Sequence, residues 1–206
     1  MFYNSLQETP SKCPTIGCSM SDSDFLNGHL LIAMPALDDP NFFHSVTFIC
    51  EHNSEGAMGI TLNRGTTVTV GEVITQLGYE WPEQDMADLK VYQGGPVETE
   101  RGFVIHQPLG EWDSTVKVDD QTGVTSSRDI LEAISKGEGP ERVFIALGYA
   151  GWGPGQLEKE MAANAWLSAP FEPEIIFSVE DDQRWEAAAK SVGVDLNLLS
   201  NDVGHA

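Results

Sequence analysis

Residues 45–63, SVTFICEHNSEGAMGITLN, carry the reading on which the fold turns. In the first half, Val46, Phe48, Cys50 and His52 alternate with Thr47, Ile49 and Glu51, the two-residue period of a strand whose side chains point to opposite faces. Polar NSEG follows, and AMGITLN, residues 57–63, resumes the apolar run. A glycine-containing break of this length is a hairpin connection, and strands so joined pair antiparallel, since a parallel pair needs a crossover of about a dozen residues or more.

Upstream, HLLIAMP (29–35) reads as a buried strand stopped by Pro35, and DDPNFFH (38–44) as a turn. Downstream, the period changes. Val70, Val73, Ile74 and Leu77 fall at i, i+3, i+4 and i+7, the stripe of a short helix, with Gly78 where a left-handed cap is wanted. LKVYQGG, RGFVIHQ and STVKV are short strands between Gly and Pro turns, and SSRDILEAISKG (126–137) is a helix capped by serine and closed by Lys136 and Gly137. The last third predicts alternation: strand RVFIALGY, helix GQLEKEMAANAWL (155–167), strand EIIFSV (174–179), helix DDQRWEAAAKSVG. Such alternation favours parallel crossovers, whereas the first half favours hairpins. The expected product is one α+β domain with a mixed sheet, spanning residues 25–200, preceded by a loose extension over 1–24 and followed by a tail over 201–206. Met20 is a candidate start within that extension.

The composition bounds the function. A chain of 206 residues with 41% hydrophobic content supports one well-formed core. Eleven basic residues against 32 acidic ones give a formal charge of −21, a field that repels phosphate backbones and anionic lipid and serves solubility. Neither direct nucleic-acid contact nor membrane binding is expected. There is no run of ~18 apolar residues and no signal-peptide pattern. Cys13, Cys18 and Cys50 are odd in number with no Cys-x-x-Cys pair, which fits a reducing, cytoplasmic setting.

GYAGWGPGQLEKE (148–160) has the glycines of a phosphate-binding turn but not the spacing: Pro154 lacks an N–H and Glu158 puts a carboxylate where the anion would sit. It is read as a structural strand-to-helix turn with Trp152 at the surface, beside room for an uncharged or cationic ligand. Gly94 and Gly95 mark either a tight turn or a rim where a ligand or another backbone comes close. Cys50 and His52 share a strand face roughly 7 Å apart, too far for a nucleophile and its base, and the thiol reads as buried and inert. The histidines at 29, 44, 52, 106 and 205 include no H-x-H or H-E-x-x-H, so neither metal nor cofactor is expected. Glu158 and Glu160 read as a solvated helix edge.

Together, GHLLIAMPALDDPNFFHSVTFICEH, GAMGITLNR, VYQGGPV, RGFVIH and LGYAGWGPGQLEKEMAANAWL resemble the YqgE/AlgH family of bacterial proteins, in the same order from about Asn27 to about Asp195. The resemblance implies a single α+β unit with a bifurcated, barrel-like sheet flanked by helices. It also implies a regulatory connection through the transcriptional-regulator label attached to one member, although this sequence shows no helix-turn-helix with a basic recognition helix. The expectation is a cytoplasmic, non-enzymatic binding or regulatory module that acts through a protein partner or small ligand. Its contact groups would be Asn63, Arg64, Gly94, Gly95, Gly151, Trp152 and Gln156. The alternatives are an enzyme with polar groups converging at the glycine rims, or a component of a larger assembly marked by an exposed apolar patch around Trp152 or Trp166.

Overall fold

The structure is a computed structural model and describes residues 25–80 and 86–196. The expectations for the extension, Cys13, Cys18, Met20 and the tail from 201 lie outside the described residues. Among the described residues ten strands and five helices follow in the order β1 (His29–Ala33), β2 (Val46–Asn53), β3 (Gly56–Thr61), β4 (Gly65–Thr69), α1 (Val70–Gln76), β5 (Lys90–Gln93), β6 (Val97–Gln107), β7 (Thr115–Lys117), β8 (Gly123–Thr125), α2 (Asp129–Ser135), β9 (Arg142–Trp152), α3 (Gln156–Ala162), β10 (Trp166–Pro170), α4 (Pro173–Phe177) and α5 (Arg184–Ser191). The β2–β3 hairpin forms as its alternation requires. The sheet runs β10-β1-β2-β3-β9-β6-β8-β7, with β4 and β5 branching from β9, which gives the bifurcated α+β architecture.

The fork has a local cause. Arg142 to Leu147 of β9 pair antiparallel with β6, and Ile145 to Leu147 also pair in parallel with β5, while Ala150 to Trp152 pair with β3. Gly148, at φ +73°, separates the two halves, and a Cβ there would come within 2.6 Å of the Gly95 carbonyl oxygen. A Cβ on Gly94 would meet the Gly148 carbonyl at 2.3 Å, and one on Gly95 the Tyr149 carbonyl carbon at 2.1 Å. Thr61 N–H donates to Gly94 O and Gly94 N–H to Leu147 O, both at 2.8 Å. These glycines let three stretches of backbone meet where the sheet divides. The close neighbour at Gly94 and Gly95 is thus the chain's own β9.

Four expectations are corrected. Helix α3 ends at Ala162, Asn164 takes φ +55°, and Trp166 to Pro170, expected to finish the helix, form β10 antiparallel to β1. EIIFSV, expected as a strand, is mostly helix α4: Pro173 opens it and Ile175 and Ile176 are buried. The parallel pairing is therefore β5 with β9, not a crossover in the last third. Helix α1 has a full capping box between Thr69 and Glu72, but α2 has no serine cap, because the Ser127 hydroxyl donates instead to the Asp129 carboxylate.

The core divides by helix. Leu30, Ile32, Phe48, Ile105 and Phe144 pack with Ile175 and Ile176 of α4 and Ala188 and Ala189 of α5. Val70 and Ile74 of α1 meet Val104, Ile145, and Ile130 and Ile134 of α2. Leu31, Ile49, Trp152 and Trp166 pack with Leu157 of α3.

Candidate functional site

The expected contact residues are mostly occupied by the fold itself. The Asn63 side chain accepts from Val46 N–H at 3.0 Å and donates to His44 O at 2.8 Å, so it ties the 38–44 turn to the sheet. Arg64 donates to Phe43 O. Beside it, the His44 ring lies between Phe43 and Trp185, each centroid 3.9 Å away, and desolvation followed by the Arg64 charge lowers its pKa. Arg64 and Gly95 line a small cleft of about 80 Å³ with Thr61, Gln93 and Pro96, which includes neither Trp152 nor Gln156.

Trp152 is not a surface ring. It is 6% exposed, Trp166 is 4% exposed, and the two lie edge-on at 5.9 Å with Phe42 against both. Among the described residues no exposed patch is built on either. Both indole N–H groups donate to the same Glu160 oxygen, at 2.9 Å from Trp152 and 2.8 Å from Trp166, and Gln156 donates to the other oxygen at 2.9 Å. The Gln156 carbonyl accepts from Gly153 N–H at 3.1 Å. Glu158 reaches His52 Nε2 at 3.1 Å, and His52 Nδ1 accepts from Leu26 N–H, which places the ring proton on Nε2. Glu158 and Glu160 are therefore half-buried anchors of α3, not a solvated edge. The turn into α3 is held from within, as a structural turn. Gly151 does not have a positive φ, and a Cβ there would make only ordinary contacts.

Cys50 sits at a register shift between Ile49 and Glu51. This bulge leaves Cys50 in the cluster of Phe48, while His52 pairs with Ala57 and bonds Glu158 of α3, the helix whose Leu157 packs with Ile49. The two do not share a face as the alternation implied. Burial, then the Glu51 charge, push the Cys50 thiol far above the usual range. His106 lies 2.9 Å from the Thr125 hydroxyl, but both residues are fully buried, so no substrate reaches the pair. Among the described residues no group of three His, Cys, Asp or Glu is placed to hold a metal ion, and no helix is long and apolar enough to cross a membrane.

A more open site lies elsewhere, between α1, α2, β6 and β9, in a cavity of about 250 Å³. Its floor is apolar: Val73 of α1 and Leu77 at its C-cap, Val104 of β6, Leu131 of α2, Ile145 and Leu147 of β9. Its rim is polar, with Glu100, Arg101, Ser126, Ser127 and Arg128. Arg101 is committed to Glu98 at 3.1 Å, to the Ser126 hydroxyl at 3.2 Å and to the Phe103 ring at 5.2 Å, and Glu98 holds φ +45° beside a register shift in β6. Glu100 and Arg128 are exposed and have no side-chain partner among the described residues. Gly102, mid-strand, also lines the cavity. A Cβ built on it meets nothing within 4 Å, and its φ is not positive. Of these groups the sequence singled out only Val73, Leu77 and Leu131, as inward helix positions, and the serines as a helix cap; none was read as a site residue. The available signal was the glycine inside RGFVIHQ, since glycine within a strand marks a bulge or a close approach.

The chain is similar to proteins across most of its length. A family model described as AlgH-like matches residues 30–197. A UPF0301 protein of Thioalkalivibrio sulfidiphilus is 54% identical over 186 residues, covering 90% of this chain and 99% of the relative. One from Nitrosococcus oceani is 52% identical over 182 residues, covering 88% and 97%. The solution structure of the AlgH protein from Pseudomonas aeruginosa superposes with a TM-score of 0.74 at 44% identity, covering 91% of this chain and 99% of that one. Sequence, fold and the motifs that build the fork agree, and the chain belongs to the AlgH-like family.

Proposed function

We propose that this protein is a non-enzymatic binding module whose ligand is a metabolite-sized molecule seated in the cavity between α1, α2 and the β6–β9 pair, and that any regulatory effect passes through that ligand or a protein partner and not through direct contact with DNA. Gly102 carries the reading. Glycine in a strand interior costs roughly 0.5–1 kcal/mol in chain entropy relative to alanine, and it persists where something requires the space. At Gly94, Gly95 and Gly148 that something is the chain's own backbone. At Gly102 no protein atom fills the space, and the opening leads to an apolar floor under a polar rim, the composition of a small-molecule site. A volume of about 250 Å³ lies just below the roughly 300–1,000 Å³ of drug-sized pockets, hence a small ligand. A charge of −21 disfavours a polyanion as partner.

The test fills the cavity. Gly102→Val places a β-branched side chain in open space within a strand, where it suits the backbone. Wild type and variant are titrated by thermal shift against a panel of amino acids, short carboxylates, amines and nucleotides. The expected result is a saturable rise in wild type with at least one compound, absent in Gly102→Val, which itself melts no lower than wild type. Equal rises in both proteins, or no rise with any compound, would remove the cavity as the site.

A further inference from the structure

Resting on that reading, we infer that the cavity takes a small zwitterion with an aliphatic body, of the class of a free α-amino acid with an apolar side chain. The charges at the mouth decide this. Arg101 and Glu98 neutralise each other at 3.1 Å, with Ser126 completing the arginine's bonds. The Asp129 carboxylate behind Ser127 is saturated by the Ser127 hydroxyl and by the backbone N–H groups of Asp113 and Ile130. That leaves one carboxylate, Glu100, and one guanidinium, Arg128, lining the same opening without partners among the described residues.

A simple anion would gain Arg128 and be repelled by Glu100, and a simple cation would meet the converse. A ligand carrying both charges on one carbon satisfies both: its carboxylate matches the planar fork of Arg128, its ammonium pairs with Glu100. Its side chain then covers Val73, Leu77, Leu131 and Ile145 on the floor, which supplies the burial that two exposed ion pairs lack. The strained Glu98 is consistent with this location. A non-glycine residue held at positive φ persists only where its surroundings fix it, and such residues gather at ligand clamps. Here Glu98, held at that φ, pairs with Arg101, which leaves Arg128 as the rim guanidinium without a side-chain partner among the described residues.

The experiment titrates L-leucine, 4-methylpentanoate and 3-methylbutylamine, which share the 3-methylbutyl body but carry both charges, the carboxylate alone or the ammonium alone. Calorimetry and thermal shift are read on the full chain. Leucine is expected to bind at least tenfold more tightly than either single-charge analogue, and to raise the melting temperature by about 5–10 °C at a hundredfold excess over Kd. Glu100→Gln should abolish the preference for leucine over 4-methylpentanoate. Arg128→Gln should abolish the preference over 3-methylbutylamine. Both substitutions are at exposed positions and should leave folding intact. Wild-type affinity for 4-methylpentanoate equal to that for leucine, lost in Gly102→Val, would overturn the zwitterion assignment while keeping the cavity as the site. Leucine binding unchanged by Gly102→Val would overturn the cavity itself. Failure of all three to bind at ~10 mM, a level at which Kd values in the millimolar range register, would overturn the zwitterion assignment.

Discussion

Removing the Glu160 carboxylate should unfold this protein at a markedly lower temperature, although Glu160 is one acidic residue among 32 Asp and Glu. Two indole N–H groups, on tryptophans only 6% and 4% exposed, converge on one of its oxygens at 2.9 and 2.8 Å. In Glu160→Ala both donors remain buried without an acceptor. Hydrogen bonds to a charged group contribute about 1.5–3 kcal/mol each, and an unsatisfied buried donor costs about 1–3 kcal/mol. Taking about 1.5 kcal/mol per indole gives a loss near 3 kcal/mol, offset by only a few tenths from alanine's helix propensity. At about 2–4 °C per kcal/mol for a chain of this size, the melting temperature should fall by roughly 6–12 °C. Glu160→Gln is the control. Its amide oxygen can still accept both indoles, so the loss should stay under about 1.5 kcal/mol. Urea unfolding followed by tryptophan fluorescence measures both variants on the groups concerned. If Glu160→Ala loses less than about 1 kcal/mol, or if alanine and glutamine behave alike, the shared acceptor is not what holds the two rings and the reasoning fails.

Two further outcomes follow from the fork and the buried histidine. Gly148→Ala, at φ +73° with the Gly95 carbonyl 2.6 Å from the new Cβ, should cost more than about 2 kcal/mol or prevent folding, whereas Gly151→Ala should stay within about 0.5 kcal/mol; circular-dichroism melts separate the two. His106 is fully buried, and desolvation, opposed by its bond to the Pro108 carbonyl, lowers its pKa below the ordinary 6.5. Because the unfolded chain then binds the proton first, stability should be lost as pH falls below about 6.5. His106→Gln should show a smaller loss than wild type in urea midpoints measured between about pH 7.5 and 5, and an equal loss would refute the assignment.

The sequence by itself determined those elements whose signals are local. Strict alternation at 46–52 and a glycine break gave β2 and β3 and their antiparallel sense. The stripe of Val70, Val73, Ile74 and Leu77, with Gly78 beyond it at φ +83°, gave α1. The ordered motifs gave the family, and with it the divided sheet. Where the signal was a short apolar run, periodicity was silent: EIIF fits a strand as well as a helix, and Pro173 together with packing against α5 made it α4. Trp166 to Pro170 became β10 because β1, from the opposite end of the described chain, offered an unpaired edge. The single extra residue of the bulge at Cys50 turned His52 to the other face, which no alternation pattern can announce. Trp152 and Glu160 looked like surface residues because glycines and charges surround them in sequence, and only the fold shows that the carboxylate is the acceptor for two buried indoles. The cavity was the least legible feature. Glu100, Gly102, Arg128 and the floor come from four elements and meet only when α1 and α2 close over the sheet. A lone charge in a sequence is indistinguishable from a solvated one until its neighbours in space are known, because the interactions that give it a role act over ångströms and not over residue numbers.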